Sequence, residues 1–236
     1  MNKECSEEWI IGIDEAGRGS LVGEMIVAAF AIPRRLENLL DELGVKDSKA
    51  LTPKTRAQLY KELINLGVFA VEPVKPSDID KYNLNRLTAR AAMRLIERLS
   101  KRLGGLRCIS EIIIDKFGST KGLATKLRAK GFRGIFILED HADERYPVVG
   151  AASIIAKHLR DLRIKVLSRL YGVRGSGYPS DPETVEWVRS VIKRGEKPYF
   201  IRYSWATLKD LGYGTKKKSR SLLDYLSVDK QDNSSG

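Results

Sequence analysis

The sequence predicts an α/β fold. Short apolar runs read as buried strands, segments with apolar residues at helical spacing read as helices, and the two kinds alternate along the chain. With 236 residues, 42% of them hydrophobic and 31% charged, the chain can bury a sizeable core, which excludes wholesale disorder.

The elements follow in order. Trp9-Ile10-Ile11-Gly12-Ile13 is an apolar run ending at Asp14-Glu15, the pattern of a buried strand. A turn at Gly17-Arg18-Gly19 leads into Met25 to Ile32, a strand expected to pair with the first. Thr52-Pro53 supplies an N-cap and a proline at the first helical position, opening a helix to about Leu66. Val68 to Val74 reads as a strand, and Asn85 to Leu103 as a helix with Leu87, Ala91, Leu95 and Leu99 on one stripe, ended by Gly104-Gly105. Glu111 to Asp115 is again an apolar strand with a terminal acid. Gly134 to Leu138 is a further strand, and Val148 to Leu170 a long helix. Ser180-Asp181-Pro182-Glu183 has a capping-box pattern and starts a helix to about Lys193. Trp205 to Leu211 is a short last helix, and from Gly214 on a Lys- and Ser-rich flexible tail is expected.

Forty-two Lys and Arg against 30 Asp and Glu give a net charge of +12, which points to a polyanionic partner, most simply nucleic acid. Two cysteines, Cys5 and Cys108, far apart and outside any Cys-x-x-Cys pairing, argue against a disulfide framework and a thiolate zinc site, and fit a reducing, cytoplasmic setting. The longest uncharged stretch, Tyr146 to Ala156, is too short to span a membrane, and the N-terminus lacks a signal-peptide pattern. A soluble monomer is expected. The scarcity of Gln beside abundant Arg, Lys and Glu hints at a heat-adapted source.

Asp14, Glu15 and Asp115 close runs that read as buried, where a carboxylate is costly unless a cation or hydrogen-bond donors meet it. Adjacent strands could bring these acids together, and clustered like charges raise one another's pKa unless a metal neutralises them. Oxygen ligands without a Cys or His cluster favour Mg²⁺ or Mn²⁺. A basic protein with an acidic metal cluster has the outline of a phosphodiester-cleaving enzyme, in which two ions about 3.5–4 Å apart activate water and stabilise the leaving oxygen. A fourth acid stays open among Glu139, Asp140, Asp143 and Glu144. His141 and His158 are assigned no role, and Arg160 and Asp161 read as a solvated helix edge.

Gly12-Ile13-Asp14-Glu15-Ala16-Gly17-Arg18-Gly19 resembles the signature of ribonuclease HII, the type 2 ribonuclease H family. Further similar blocks follow in the family's order: Lys46-Asp47-Ser48-Lys49, Ile113-Ile114-Asp115, Ala142 to Val149, Ala151 to Lys157, Gly175 to Pro182 and Arg202-Tyr203-Ser204-Trp205. The resemblance covers about residues 9 to 210 and is closest to archaeal members. It implies a ribonuclease H-like mixed sheet flanked by helices, with a C-terminal helical portion. It implies Asp14, Glu15, Asp115 and Asp143 as catalytic metal ligands, with Mg²⁺ or Mn²⁺ as cofactor. The implied substrates are RNA–DNA hybrids and duplex DNA containing ribonucleotides, cut by two-metal hydrolysis to 3′-hydroxyl and 5′-phosphate ends. The Gly17-Arg18-Gly19 backbone would read the ribose 2′-hydroxyl, with Arg18 as an added phosphate partner, and Tyr178 would contact the sugar at the RNA–DNA junction. Lys46, Lys49 and Ser153, with Lys157 one turn on, would lie near substrate phosphates. Ser20 stands where family members usually have proline, which would stiffen the backbone, so Ser20 is expected to loosen junction recognition.

The expected organisation is therefore a catalytic domain over residues 1–213 and a tail over 214–236. Rival readings are ribonuclease HIII, disfavoured because no extension precedes the first strand, and a non-catalytic hybrid-binding module. In the tail, Leu222, Tyr225 and Leu226 resemble the short peptide that docks on replication sliding clamps, although Ser219 replaces its usual glutamine and one of its two aromatics is missing.

Overall fold

The computed structural model describes residues 5–45, 51–118 and 122–214. Five strands form one mixed sheet: β1 (Trp9–Ala16), β2 (Met25–Pro33), β3 (Val68–Val74), β4 (Ile109–Asp115) and β5 (Ile135–Glu139), in the order β3-β2-β1-β4-β5. β1 pairs antiparallel with β2 and parallel with β4, with Gly12 facing Phe30 on one side and Ile113 on the other.

Alternation along the strands splits the core into two layers. Ile11, Ile13, Val27, Ala29, Ile112 and Ile114 face helix α4 (Leu84–Arg102), whose Ala91, Leu95 and Leu99 are buried as the stripe predicts. Ile10, Ala28, Phe30, Ile32 and Ile113 face α7 (Pro147–Tyr171), with α2 (Pro53–Leu66) beside it. Gly12 lies on this second face, and any side chain there would collide with the Val148 carbonyl, so α7 rests on the bare backbone of β1.

Four short helices escaped the periodicity: α1 (Asn38–Glu42), α3 (Pro76–Ile79), α5 (Leu123–Ala129) and α6 (Ala142–Arg145), each too short to display an amphipathic stripe. α2 starts as expected, with the Thr52 hydroxyl accepting from the Thr55 N–H (3.1 Å). α8 (Pro182–Lys193) is capped by Asp181 and not by Ser180: the Asp181 carboxylate accepts from the Glu183 N–H (3.0 Å).

A third core cluster joins α8 and α9 (Ala206–Asp210) to the end of α7 and to Leu21 and Val22, with Trp187, Val188, Phe200 and Leu208 buried. The C-terminal helical portion thus packs directly against the segment following the glycine turn. Residues 215–236, including the clamp-like Leu222, Tyr225 and Leu226, lie outside the described residues. Among the described residues, no helix is long and apolar enough to cross a membrane.

Two expectations are overturned. Cys5 and Cys108 form a disulfide, with Cα atoms 5.4 Å apart. The strand register explains it: Trp9 faces Ile109 in the parallel β1–β4 pair, which sets the residues just before each strand side by side although 103 positions separate them. Arg160 is no solvated edge residue but 5% exposed, because the glycine turn and the loop before α8 fold over it.

β3 is an edge strand. Along α4, arginine recurs at positions 86, 90, 94, 98 and 102. Arg98 donates to the Val71 carbonyl (3.1 Å) and Arg102 to the Phe69 carbonyl (3.2 Å), both on β3, while Arg94 and Arg98 hold Glu72 of the same strand at 2.7 and 2.6 Å.

Candidate active site

Asp14 and Glu15 lie inside β1, which runs on to Ala16, and not just beyond its end. Asp14 is 6% exposed and, by alternation with Gly12, points to the α7 face. Asp115 ends the neighbouring β4 on that same face, its Oδ1 accepting from the Ala142 N–H (2.7 Å) at the start of α6. Asp143, on α6, is 4% exposed, and the Lys157 ammonium of α7 lies 4.0 Å from its Oδ2. Glu15 points to the other face, where Arg18 meets it at 3.3 Å.

The acids repel one another. Burial, with Asp115 and Asp143 adding repulsion, pushes the Asp14 carboxyl up to about 7, although bonds from the Ser153 hydroxyl and the Glu15 N–H pull it down. Burial and then Asp14 push Glu15 up to about 8, against the pull of Arg18. Of the crowded acids, Glu139 is held by Arg145 (2.9 Å) and the Tyr146 hydroxyl (3.2 Å), and Asp140 by Lys116 (2.6 Å). Glu144 is exposed beside His141, at 3.8 Å. Only Asp143 among the four is buried and coupled to Asp14.

Among the described residues, no three His, Cys, Asp or Glu side chains converge closely enough to hold an ion as placed. Each carboxylate is turned to a local donor: Glu15 N–H and Ser153 for Asp14, Ala142 N–H for Asp115, Arg18 for Glu15 and Lys157 for Asp143. The donor set fits a hard divalent cation nonetheless, being oxygen-only and buried among like charges that a cation would relieve.

Gly17 sits at φ +82, and an added Cβ would press on the Arg160 stem at 3.4 Å. Gly19 differs: it is exposed, and an added Cβ would meet nothing within 4 Å. The fold therefore makes no demand for glycine there, whereas a ligand approaching the backbone would. The Arg18 guanidinium is engaged within the fold. It bonds Asn85, Thr88 (3.3 Å) and the Phe117 carbonyl (3.0 Å) besides Glu15, fastening the turn to α4 and to the segment after β4. Ser20 is itself tied into this turn. It is fully buried, its hydroxyl donates to the Gly17 carbonyl (3.0 Å) and its own carbonyl accepts from the Trp205 indole (2.7 Å).

Tyr178 is half-buried on a braced loop. The Asp181 carboxylate accepts from Ser176 N–H, which holds its pKa down at about 2, and the buried Thr184 hydroxyl accepts from Gly177 N–H (2.8 Å). The loop reaches the glycine turn through Leu21 N–H and Val22 N–H, which donate to the Gly177 carbonyl at 2.8 and 3.2 Å. Ser153, fully buried, joins the acids through Asp14. Lys46 and Lys49 lie outside the described residues. Sequence reasoning gave no role to Arg160 or Arg202, buried arginines beneath these two loops, because an arginine carries no signal of burial; Arg202 stood out only within the block Arg202-Tyr203-Ser204-Trp205.

A sequence profile described as Ribonuclease HII matches residues 11–208. Ribonuclease HII of Aeropyrum pernix is 48% identical over 222 residues, covering 92% of this chain and 98% of that protein. The crystal structure of the ribonuclease H2 from Pyrococcus horikoshii OT3 superposes with a TM-score of 0.74 at 35% identity, covering 86% of this chain and 96% of that one. The structure of the PCNA:RNase HII complex from Archaeoglobus fulgidus matches with a TM-score of 0.74 at 33% identity, covering 91% and 99%.

Proposed function

The chain belongs to the ribonuclease HII family, hydrolytic endonucleases on the ribonuclease H-like fold, and on that premise we propose that it cuts RNA in RNA–DNA hybrids and incises 5′ to ribonucleotides embedded in duplex DNA. The products would carry 3′-hydroxyl and 5′-phosphate ends. One observation carries the reading: Asp14, buried and repelled by Asp115 and Asp143, lies in the strand that leads straight into the glycine turn with its unobstructed Gly19.

Family membership implies dependence on a divalent metal. In our reading Asp14, Glu15, Asp115 and Asp143 hold it. Two ions, Mg²⁺ or Mn²⁺, would supply activation of the attacking water and stabilisation of the leaving oxygen. Asp14 and Asp115, on the adjacent strands β1 and β4, would hold that charge on the α7 side of the sheet. Lys157, beside Asp143, limits the repulsion among the acids and would meet a substrate phosphate in this reading. The Gly17–Gly19 backbone approaches the 2′-hydroxyl, and Tyr178 packs on the sugar at the junction. Residues 1–213 form the catalytic unit in this reading, and the tail binds a replication sliding clamp through Leu222, Tyr225 and Leu226. The related protein solved as a PCNA:RNase HII complex supports a clamp interaction.

The test is incubation of the full chain with a duplex carrying one ribonucleotide, in Mg²⁺, in Mn²⁺ and in chelator. Incision 5′ to the ribonucleotide with either ion and none in chelator is expected. Metal-independent incision, or none with either ion, overturns the reading.

A further inference from the structure

Arg160 is 5% exposed and lies between two loops that the proposed function assigns to substrate. Its guanidinium carbon sits 4.2 Å from the centroid of the Tyr178 ring, and its Nη2 donates to the Ser176 carbonyl. From the other side, an added Cβ at Gly17 would lie 3.4 Å from its Cγ and 3.6 Å from its Nε. At Gly177 the same atom would lie 2.8 Å from Nη2. Both glycines take positive φ, +82 and +84, so each loop closes onto the arginine without a side chain between.

This is a costly place for a cation. Its Nε is buried without a partner. The nearest carboxylate, Asp161, is 3.8 Å away and already bonds Arg56. Core packing alone would be served better by an apolar residue of similar volume. The Tyr178 ring face and the Ser176 carbonyl are the compensation, so the guanidinium and the ring are held together on one loop.

We propose that Arg160 is a positioning residue for junction selectivity: by stacking on Tyr178 and filling the space between Gly17 and Gly177, it fixes the tyrosine ring relative to the Gly17–Gly19 turn. The proposal rests on the assignment of Tyr178 to the junction sugar. A continuous hybrid offers ribose at every step and tolerates a displaced ring, whereas a single ribonucleotide offers one junction.

Arg160→Lys keeps the charge and the aliphatic stem but loses the planar fork. The measured quantity is the ratio of cleavage rates on a single embedded ribonucleotide and on a continuous hybrid, taken with the same preparation so that the folded fraction cancels. The ratio is expected to fall about tenfold, the size of a desolvated cation–π contact. In a Tyr178→Ala background, Arg160→Lys is expected to change the ratio no further, because its partner is gone. Equal losses on both substrates, or a further fall in the Tyr178→Ala background, overturn the positioning role. If Tyr178→Ala by itself leaves the ratio unchanged, the Tyr178 assignment fails, and with it the basis of the proposal.

Discussion

Arg202 holds Arg18 by its main chain: the buried Arg202 Nη1 donates to the Arg18 carbonyl (2.8 Å) across 184 residues of sequence, while Nε and Nη2 donate to the Gly23 carbonyl at 3.1 and 3.0 Å. One side chain thereby ties the middle of the glycine turn to Gly23, shortly before β2. Burial lowers its pKa to about 10, still well above neutrality, so it remains a cation. Arg202→Met keeps much of the volume and strands two carbonyls, and urea unfolding is expected to show a loss of about 3 kcal/mol. Cleavage should also fall at temperatures where the variant is fully folded. Unchanged stability would mean the bonds contribute nothing net.

The raised carboxyls set a pH signature. Asp14 and Glu15 titrate near 7 and 8 in the fold, against 3.8 and 4.5 ordinarily, so the folded chain holds protons that the unfolded chain has released. Without divalent ions, stability should therefore decline as pH rises through about 4 to 8. Added Mg²⁺ should raise Tm more at pH 8 than at pH 6, because the ion competes with protons for the same oxygens. Asp14→Asn and Asp115→Asn should each cut hydrolysis by several orders of magnitude while leaving the fold as stable or more so. Near-wild-type cleavage by either variant would sink the ligand assignment.

Two glycines separate architecture from substrate. Gly19→Ala should leave Tm within a degree or two, or raise it slightly, since nothing in the fold meets its Cβ. Cleavage should nonetheless drop about tenfold or more, from a displaced backbone approach. Gly12→Ala should do the reverse and destabilise by about 3 kcal/mol or more, since α7 must lift from β1. Thermal melts and initial rates on both variants check the pair.

The disulfide closes a loop of about 100 residues, for which chain entropy predicts about 4–5 kcal/mol. Cys5→Ser should lose stability on that scale, and a reductant should lower the Tm of the wild type but not of the variant. Cleavage rates at 25 °C should be unaffected, because the bridge lies at the start of β1 and β4 and the acids lie toward their other ends.

Deleting residues 214–236 should leave cleavage of short duplexes largely intact and abolish pull-down of the sliding clamp. Leu222→Ala combined with Tyr225→Ala should match the deletion. An intact chain that fails to bind the clamp at low salt would return the tail to a role within its own domain.

Strands and long helices were legible because burial dictates their residues: the stripe at Leu87, Ala91, Leu95 and Leu99 and the Thr52-Pro53 start each express a local rule. The acids of β1 and β4 were legible as charges in apolar runs. Physics could not choose Asp143 from sequence, because what distinguishes it from Glu139 and Asp140 is burial against α7, a tertiary property. The Cys5–Cys108 bridge was hidden for a related reason, since it depends on the register of a parallel pair and no spacing along the chain encodes it. Arg160 was misread because a charged residue beside Asp161 on a helix resembles every solvated helix edge until the two loops that cover it are in place.

The arginines of α4 change what the net charge of +12 means. An edge strand with free carbonyls invites another strand to dock, and Arg98 and Arg102 occupy two such carbonyls on β3 while Arg94 and Arg98 neutralise Glu72. Part of the positive surplus thus guards the sheet against strand addition by a second molecule. Those guanidinium groups keep their charge while bonded to carbonyls, so raised salt, by screening them, would weaken attraction to nucleic acid and protection against self-association together.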